Sequence, residues 1–596
     1  MSSNAISPSG EVTEDLPLSP PSEQLQHPVV AVLAKAKRVW NSLQISHSGG
    51  KYSVERLLAL EEYARNTSLT RVLMVCIGTP LPMALVVILQ ECVPLQDPSD
   101  GWSANYGFWI RAGVLGGVVA VGMAAFALYM IPGVVLSNRQ LALLCIGQGV
   151  CYPFAAMLVA ALWVFPIPFM ILTIISVYVM VFALLFLLVA GKEAFSEMAK
   201  HPDELILTVG FSGSQSVMAF VYAGYAVLFA HVAGTHFEVP VILLLPIIKI
   251  IMKNLVSRTI VHMKDMVPEA VIFTVDFFNS MYLATSMQNA SSISTVLTMM
   301  TIDITQTIFE LRSLYYRTNT IVSRLHQACG TLTSCGSLLP AVESLCRDTS
   351  KFALQARENV IISSCLPHKL SAEAQTLLET LKSLPGNGVR TVPRMSTADF
   401  RGSIRSKIEK ASAKSIWSRS TRKIEPGNDV TRTSVKPIHE VTKDGKGWLN
   451  VASTPHKRIL NETLEVLFTT ECVVLTEYLE SIIPVLYANF VLLFVHLPSA
   501  RYHKDLVGIT PDNVGSTVSN IFIYAALEFA SFIFLIFMMM RNCRLKALYH
   551  LAFVLETQML LVQVKLITWV LKSLSFRVEH FGADLTFGFA WMSHRG

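Results

Sequence analysis

The chain has 596 residues, of which 52% are hydrophobic and only 15% charged, with a net charge of +6. Soluble proteins are roughly 45–50% apolar and about 25% charged, so the shortage of charge is the more telling departure. Long uncharged runs exclude an ordinary soluble domain, because roughly 18 or more apolar residues in a row read as a bilayer span.

Residues 1–28 are rich in Ser, Pro and Glu, have little to bury, and are expected to be disordered. Polar Ser2, Ser3 and Asn4 follow Met1, so a cleaved signal peptide is not expected and the first span does the targeting. Residues 29–71 read as a cytosolic amphipathic and juxtamembrane segment. Within it Val29, Val32, Leu33, Ala36, Trp40 and Leu43 recur at helical spacing, edged by Lys35, Lys37 and Arg38. Such a basic helix suits an anionic membrane surface; packing on the protein's own cytosolic side fits the pattern equally.

A transmembrane block of eight spans covers 72–309. The first, 72–93, is interrupted by Thr79-Pro80-Leu81-Pro82 and should kink there. The second, third and fourth follow at 112–131, 141–163 and 167–190, the last two joined by the tight turn Phe165-Pro166-Ile167-Pro168. The fifth is 212–232. The sixth, 239–256, contains Pro246, Lys249 and Lys253; the seventh, 268–286, carries Asp276; the eighth, 290–309, carries Asp303. Residues 310–462 form a cytosolic loop with helical periodicity through about residue 384. Within its basic Ser/Thr-rich linker, 385–445, the run 390–423 sets Arg390, Arg394, Arg401, Arg405, Lys407, Lys410, Lys414, Arg419, Arg422 and Lys423 against only Asp399 and Glu409. Such a run reads as a solvated linker, with an anionic-lipid patch as the alternative. Residues 463–540 hold a juxtamembrane helix and the ninth and tenth spans, 481–497 and 514–540. The last segment, 541–596, is amphipathic, and 545–571 is expected to lie at the interface rather than to span. The fold class is therefore all-α, a polytopic transmembrane helical bundle of about ten spans with a partly disordered cytosolic loop.

Lys and Arg orient the spans. Lys51, Arg56, Arg65 and Arg71 precede the first span, and Arg139, Lys192, Lys200, Arg258, Lys264, Arg541 and Lys546 fall on the same side. Both termini are thus expected in the cytosol, with Arg501 and Lys504 as the local exception. The sequons at Asn66 and Asn461 should then stay unmodified. Cys76, Cys145 and Cys151 lie in apolar runs and read as small hydrophobes, while Cys329, Cys335, Cys346 and Cys365 are expected to be reduced.

Four stretches carry a resemblance: KYSVERLLALEEYARNTSLTRVLMVCIGTPLPMALVVILQ (51–90), ECVPLQDPSDGWSANYGFWIR (91–111), ALWVFPIPF (161–169) and LLLPIIKIIMKNLVSR (243–258). As a set they resemble the uncharacterised multi-pass transmembrane proteins of plant-pathogenic oomycetes. The resemblance covers most of 51–320 and the closing helices. It implies a eukaryotic membrane location and supplies no catalytic or binding residues.

Chemistry-bearing motifs are few. No phosphate-binding Gly-rich loop with a following Lys, no His-Glu-x-x-His and no Gly-x-Ser-x-Gly occurs. His326, Cys329, Cys335 and Cys346 are irregularly spaced for zinc. The chain is read as a non-enzyme with no cofactor, no metal and no nucleic-acid partner; its partner is the lipid bilayer, with anionic lipids at the basic segments. Intramembrane charges are the informative residues, since charge at depth is costly and points to function by default. Counting 1.5 Å per residue places Lys249, Asp276 and Asp303 roughly 9–12 Å inside the cytosolic ends of three consecutive helices. They form a candidate intramembrane polar site. It reads either as a water-filled ion pathway or as an ion pair fastening the helices; an aspartyl-protease dyad lacks the flanking glycines. A transporter-like or channel-like protein of unknown substrate is expected, the alternative being a scaffold or receptor acting through its loop. On the eighth span Ser294, Thr298, Thr301 and Thr305 share a stripe that predicts a packing seam, with Asp303 turned toward Lys249 and Asp276.

Overall fold

The computed structural model describes residues 50–583 apart from 330–337, 349–351, 353–359, 384–458 and isolated positions at 132, 233, 261–262, 291–292, 367 and 544. The expected disorder of 1–28, the amphipathic helix at 29–43 and the linker 385–445 lie outside the described residues. Helices dominate the rest. They are α1 (Val54–Asn66), α2 (Leu69–Gly78), α3 (Leu81–Glu91), α4 (Tyr106–Met130), α5 (Asn138–Leu162), α6 (Ile175–Lys200), α7 (Pro202–Val232) and α8 (Glu238–Thr259). Then come α9 (Val267–Gln288), α10 (Ile293–Cys329), α11 (Leu338–Arg347), α12 (Ala372–Ser383), α13 (Ile459–Phe494), α14 (Val514–Met538), α15 (Ala547–Thr557) and α16 (Met559–Ser575). Among the described residues, eight helical segments are long and apolar enough to cross a membrane, and a ninth is counted if the bent pair α15–α16 is one span. This is a membrane-embedded helical bundle.

Local chemistry sets the boundaries. Ser53 and Ser68 cap α1 and α2 by accepting from the backbone N–H three residues on, satisfying a donor that the first turn leaves free. Ser137 and Gln140 form a reciprocal capping box that starts α5. Thr79-Pro80 breaks the first span into α2 and α3, as expected, because Pro supplies no N–H to the helix ladder. The tight α4–α5 contact depends on absent side chains. A Cβ on Gly113 would lie 2.5 Å from the Gly149 carbonyl, and one on Gly117 would lie 2.7 Å from the Cys145 carbonyl. Small residues at this spacing let membrane helices approach backbone to backbone.

The architecture turns on α9. Every residue from Pro268 to Met287 is buried, and α9 packs against α7, α8, α13, α14 and α16. A helix apolar all round belongs in a core, but this one carries Glu269, Asp276, Asn279, Ser280 and Thr285, each of which needs a partner.

Several expectations are revised. The helix that carries the eighth span, α10, continues past residue 309 to Cys329, 37 residues in all. At 1.5 Å per residue that is about 55 Å, well beyond a hydrocarbon core of about 30 Å. The juxtamembrane helix and the ninth span are one unbroken 36-residue helix, α13, from Ile459 to Phe494. The threonine stripe on α10 is not a seam. Ser294, Thr301 and Thr305 are exposed, and Thr298, Thr301 and Thr305 each donate to the carbonyl four residues back, at 2.6–2.8 Å. A hydroxyl satisfied by its own helix needs no neighbour. The contact face is instead Val296, Met299, Met300, Asp303, Thr307, Leu311 and Leu314, all buried.

The interfacial reading of 545–571 also fails for its second half. The α15–α16 pair bends by 84°, and α16 packs against α3, α4, α7 and α9. Near α15, the His550 imidazole lies 3.3 Å from Glu471, and Glu556 pairs with Arg71 and accepts from the Tyr63 hydroxyl at 2.9 Å. These partners mark the end of the bundle where α1 and α2 begin. Beyond α16 the chain meets the other end. Arg577 pairs with Asp505 at 2.6 Å, His580 donates to the Gln96 carbonyl at 2.7 Å, and the Gly582 carbonyl accepts from the Phe169 N–H at 2.9 Å. The 17 residues of α16 rise about 25 Å, enough to run between the two ends. Gly596, expected on the cytosolic side, lies outside the described residues.

Arg577–Ala583 should therefore share a side with the first loop, opposite the start of α1. In sealed vesicles an impermeant maleimide should label exposed Cys92 together with a Glu579→Cys variant from one face, and Asn66→Cys only from the other. Labelling of all three from one face would disprove the crossing. A second expectation follows from burial of His580, which pushes its imidazole down to about 4. The neutral ring is the folded form, whereas the unfolded ring gains a proton below about 6.5. Its contribution to stability is thus fully present above pH ~6.5 and lost as pH falls toward the folded value. The melting temperature in detergent should drop between pH 7 and pH 5, and His580→Gln should flatten that slope; parallel slopes would refute the assignment.

Candidate functional site

The three sequence-predicted charges do converge, and the structure adds more. On α8, Lys249 and Lys253 are one turn apart and both buried. From α9, Asp276 Oδ1 lies 3.0 Å from Lys253 Nζ and 3.3 Å from Lys249 Nζ. From α13, Glu480 Oε1 takes the other side of Lys249 at 2.6 Å, while the Thr476 hydroxyl stands 3.5 Å from Asp276 Oδ2. One ammonium thus joins three helices, α8, α9 and α13. This half of the cluster is a sealed lock, in which buried Lys253 also pairs with Asp276 and the third helix is α13.

The second half is acid-rich. Asp303, on α10, does not pair directly with Lys249 or Asp276; its Oδ2 accepts from the Tyr524 hydroxyl of α14 at 2.7 Å. Glu528, one turn further along α14, faces Asp303 side chain to side chain. Glu477, one turn before Glu480, accepts from Ser531 at 2.8 Å. Half-buried Glu310, two turns along α10 from Asp303, also faces this group. Asp303, Glu477, Glu480, Glu528 and Asp276 are all buried, so carboxylates outnumber the two lysines. Two neighbouring carboxyls in low dielectric cannot both ionise; they share a proton or hold a cation.

A void of about 20 Å³ lies between the halves, lined by Lys249, Asn279, Asp303 and Gln306 among others. That is enough for about one water with several polar partners. It links Lys249 to Asp303 without opening a channel. Among the described residues, no group of three or more His, Cys, Asp or Glu side chains has the arrangement of a metal site; the side chains of His326, Cys329 and Cys335 lie outside the described set.

Sequence reasoning missed Glu477, Glu480 and Glu528. Glu528 sits inside the tenth apolar run and carried the same intramembrane-charge signal as Asp276. Glu477 and Glu480 fall just before the expected start of the ninth span at residue 481, in the stretch that reads as a juxtamembrane helix. No family model, curated protein or solved structure matches this chain.

Breaking the lock from one side should be costly. Lys249→Met strands Glu480 and halves the compensation of Asp276, so it should destabilise the protein by about 3–5 kcal/mol. The double variant Lys249→Met/Glu480→Met removes both charges of one pair and should recover much of that loss. Thermal melting in detergent reads both; an unchanged midpoint for the single variant would show that the lysine is not needed there.

Proposed function

We propose that this integral membrane protein is a non-enzymatic, transporter-like protein whose carboxylate cluster carries protons or a small cation through the bundle. The observation that supports this most is the adjacent pair Asp303 and Glu528, on α10 and α14, in a buried group where acids exceed lysines. A purely structural site would pair each carboxylate with a cation, as the Lys249 half does. An unbalanced group gains or loses a proton more readily, which is the property a proton relay needs. Lys and Arg distribution supports placing the start of α1 in the cytosol. Three cations at the opposite end are committed to local partners: Arg111 to Glu91 at 2.7 Å, Arg577 to Asp505 at 2.6 Å and Lys504 to the Ala583 carbonyl at 2.7 Å. The likeness of residues 51–111 to the oomycete membrane proteins fits this placement and says nothing of a substrate.

A membrane scaffold is the second reading, favoured by the sealed Lys249 lock and a void no larger than about one water. Two measurements on the reconstituted full chain separate them. Under an imposed potential, liposomes should acidify at a rate that Asp303→Asn and Glu528→Gln both lower. Infrared difference spectra should show a protonated carboxyl band near neutral pH that Glu528→Gln or Asp303→Asn removes. No flux above protein-free liposomes together with no such band would leave the scaffold reading standing.

A further inference from the structure

A second cavity, remote in character from the carboxylate cluster, lies between α4, α6, α7 and α16. It encloses about 870 Å³, within the roughly 300–1,000 Å³ typical of sites for small organic ligands. Its walls are almost wholly apolar, with Val119, Phe182, Phe186, Phe211 and Trp569 among them. Its rim includes Ile175, Val179, Met180 and Val209, each 40–63% exposed and carried on α6 and α7. Both helices are candidate spans, and α6 is the least enclosed of them. The cavity therefore opens sideways, where the acyl chains of the bilayer lie.

Two lysines of α16 reach this space, and they differ. Lys565 is committed to Glu269, with both carboxylate oxygens at 2.8 Å. Lys572, two turns further along, pairs with no carboxylate among the described residues. Its ammonium lies 4.9 Å from the Trp569 ring centroid, and it stands one turn before the end of α16, close to where Arg577 anchors the chain to the far loops. Such a half-buried cation lining a greasy cavity in a membrane protein has no counter-ion among the described residues.

We propose that this cavity is a lateral binding site for one anionic phospholipid, its acyl chains in the apolar volume and its phosphate on Lys572. The inference stands apart from the proton or cation role of the carboxylate cluster and does not depend on it. Charge complementarity selects the head, and the sideways opening selects a bilayer lipid over a soluble amphiphile. The plain alternative, Lys572 merely snorkelling to the interface, gives a different result in the test.

Native mass spectrometry of the full chain in detergent, titrated with phosphatidylglycerol or phosphatidylcholine of matched chains, reads the site directly. One phosphatidylglycerol should be retained in preference to phosphatidylcholine by about tenfold, the worth of one charge-assisted contact. Lys572→Met should abolish that preference, and Lys572→Arg should keep it. Ala183→Trp, which narrows the cavity from α6, should weaken both lipids. The melting temperature of each variant confirms that it is folded. Equal retention of the two lipids by the unsubstituted protein, or an unchanged preference in folded Lys572→Met, would overturn the assignment.

Discussion

A helix buried on every side must still satisfy every polar group it carries, and α9 is such a helix. Its Glu269 binds Lys565 of α16, its Asp276 binds Lys249 and Lys253 of α8, and its Thr285 accepts from Arg577 at 2.7 Å. Three levels along one helix are thus each tied to a neighbour. In a bilayer the apolar surfaces of helices gain little by leaving lipid for one another. Paired polar groups therefore carry much of the specificity of assembly, since each mispairing would strand a charge. The position of α8, α13 and α16 around α9 follows from that requirement.

The same logic closes both ends of the bundle. At the end where α1 begins, the Arg56 guanidinium is fully buried and donates to both Glu471 oxygens at 2.8 and 2.9 Å and to the Asp265 carbonyl at 2.7 Å. Tyr52 and His550 converge on the same Glu471. The Val54 and Glu55 N–H groups donate to the Ile361 and Ile362 carbonyls, so part of the loop between α10 and α13 is held against α1. At the other end Arg111 joins Glu91, Ser499 and the Val93 carbonyl, with His503 3.1 Å from Glu91. Chain segments hundreds of residues apart meet at these points.

Between the two ends the interior is uneven. The lock around Lys249 is balanced, the group around Asp303 and Glu528 is not, and Lys572 in the cavity beside α16 has no acid partner among the described residues. Balanced charge fastens; unbalanced charge invites a proton, a cation or an anionic head.

How much of this was legible in sequence differs from residue to residue. Apolar runs located the spans, because the bilayer imposes a length and a polarity on every crossing segment whatever surrounds it. The Pro80 break, Lys249, Asp276 and Asp303 were readable for the same reason: each is an exception within such a run. The threonines of α10 misled, since spacing says which residues share a face but not whether their hydroxyls turn to a neighbour or to their own backbone. Glu477 and Glu480 escaped because a long helix that leaves the membrane has no sequence mark at the surface. The insertion of α16 escaped too, because its Lys565 looks like a polar-face residue until Glu269 is brought to it from 296 positions away. Sequence by itself determined that the chain lives in a membrane, and roughly where it crosses. Which charges are paired, which are left over and which helix is central were decided only by the tertiary structure, since pairing is a property of two helices and each helix's sequence describes one.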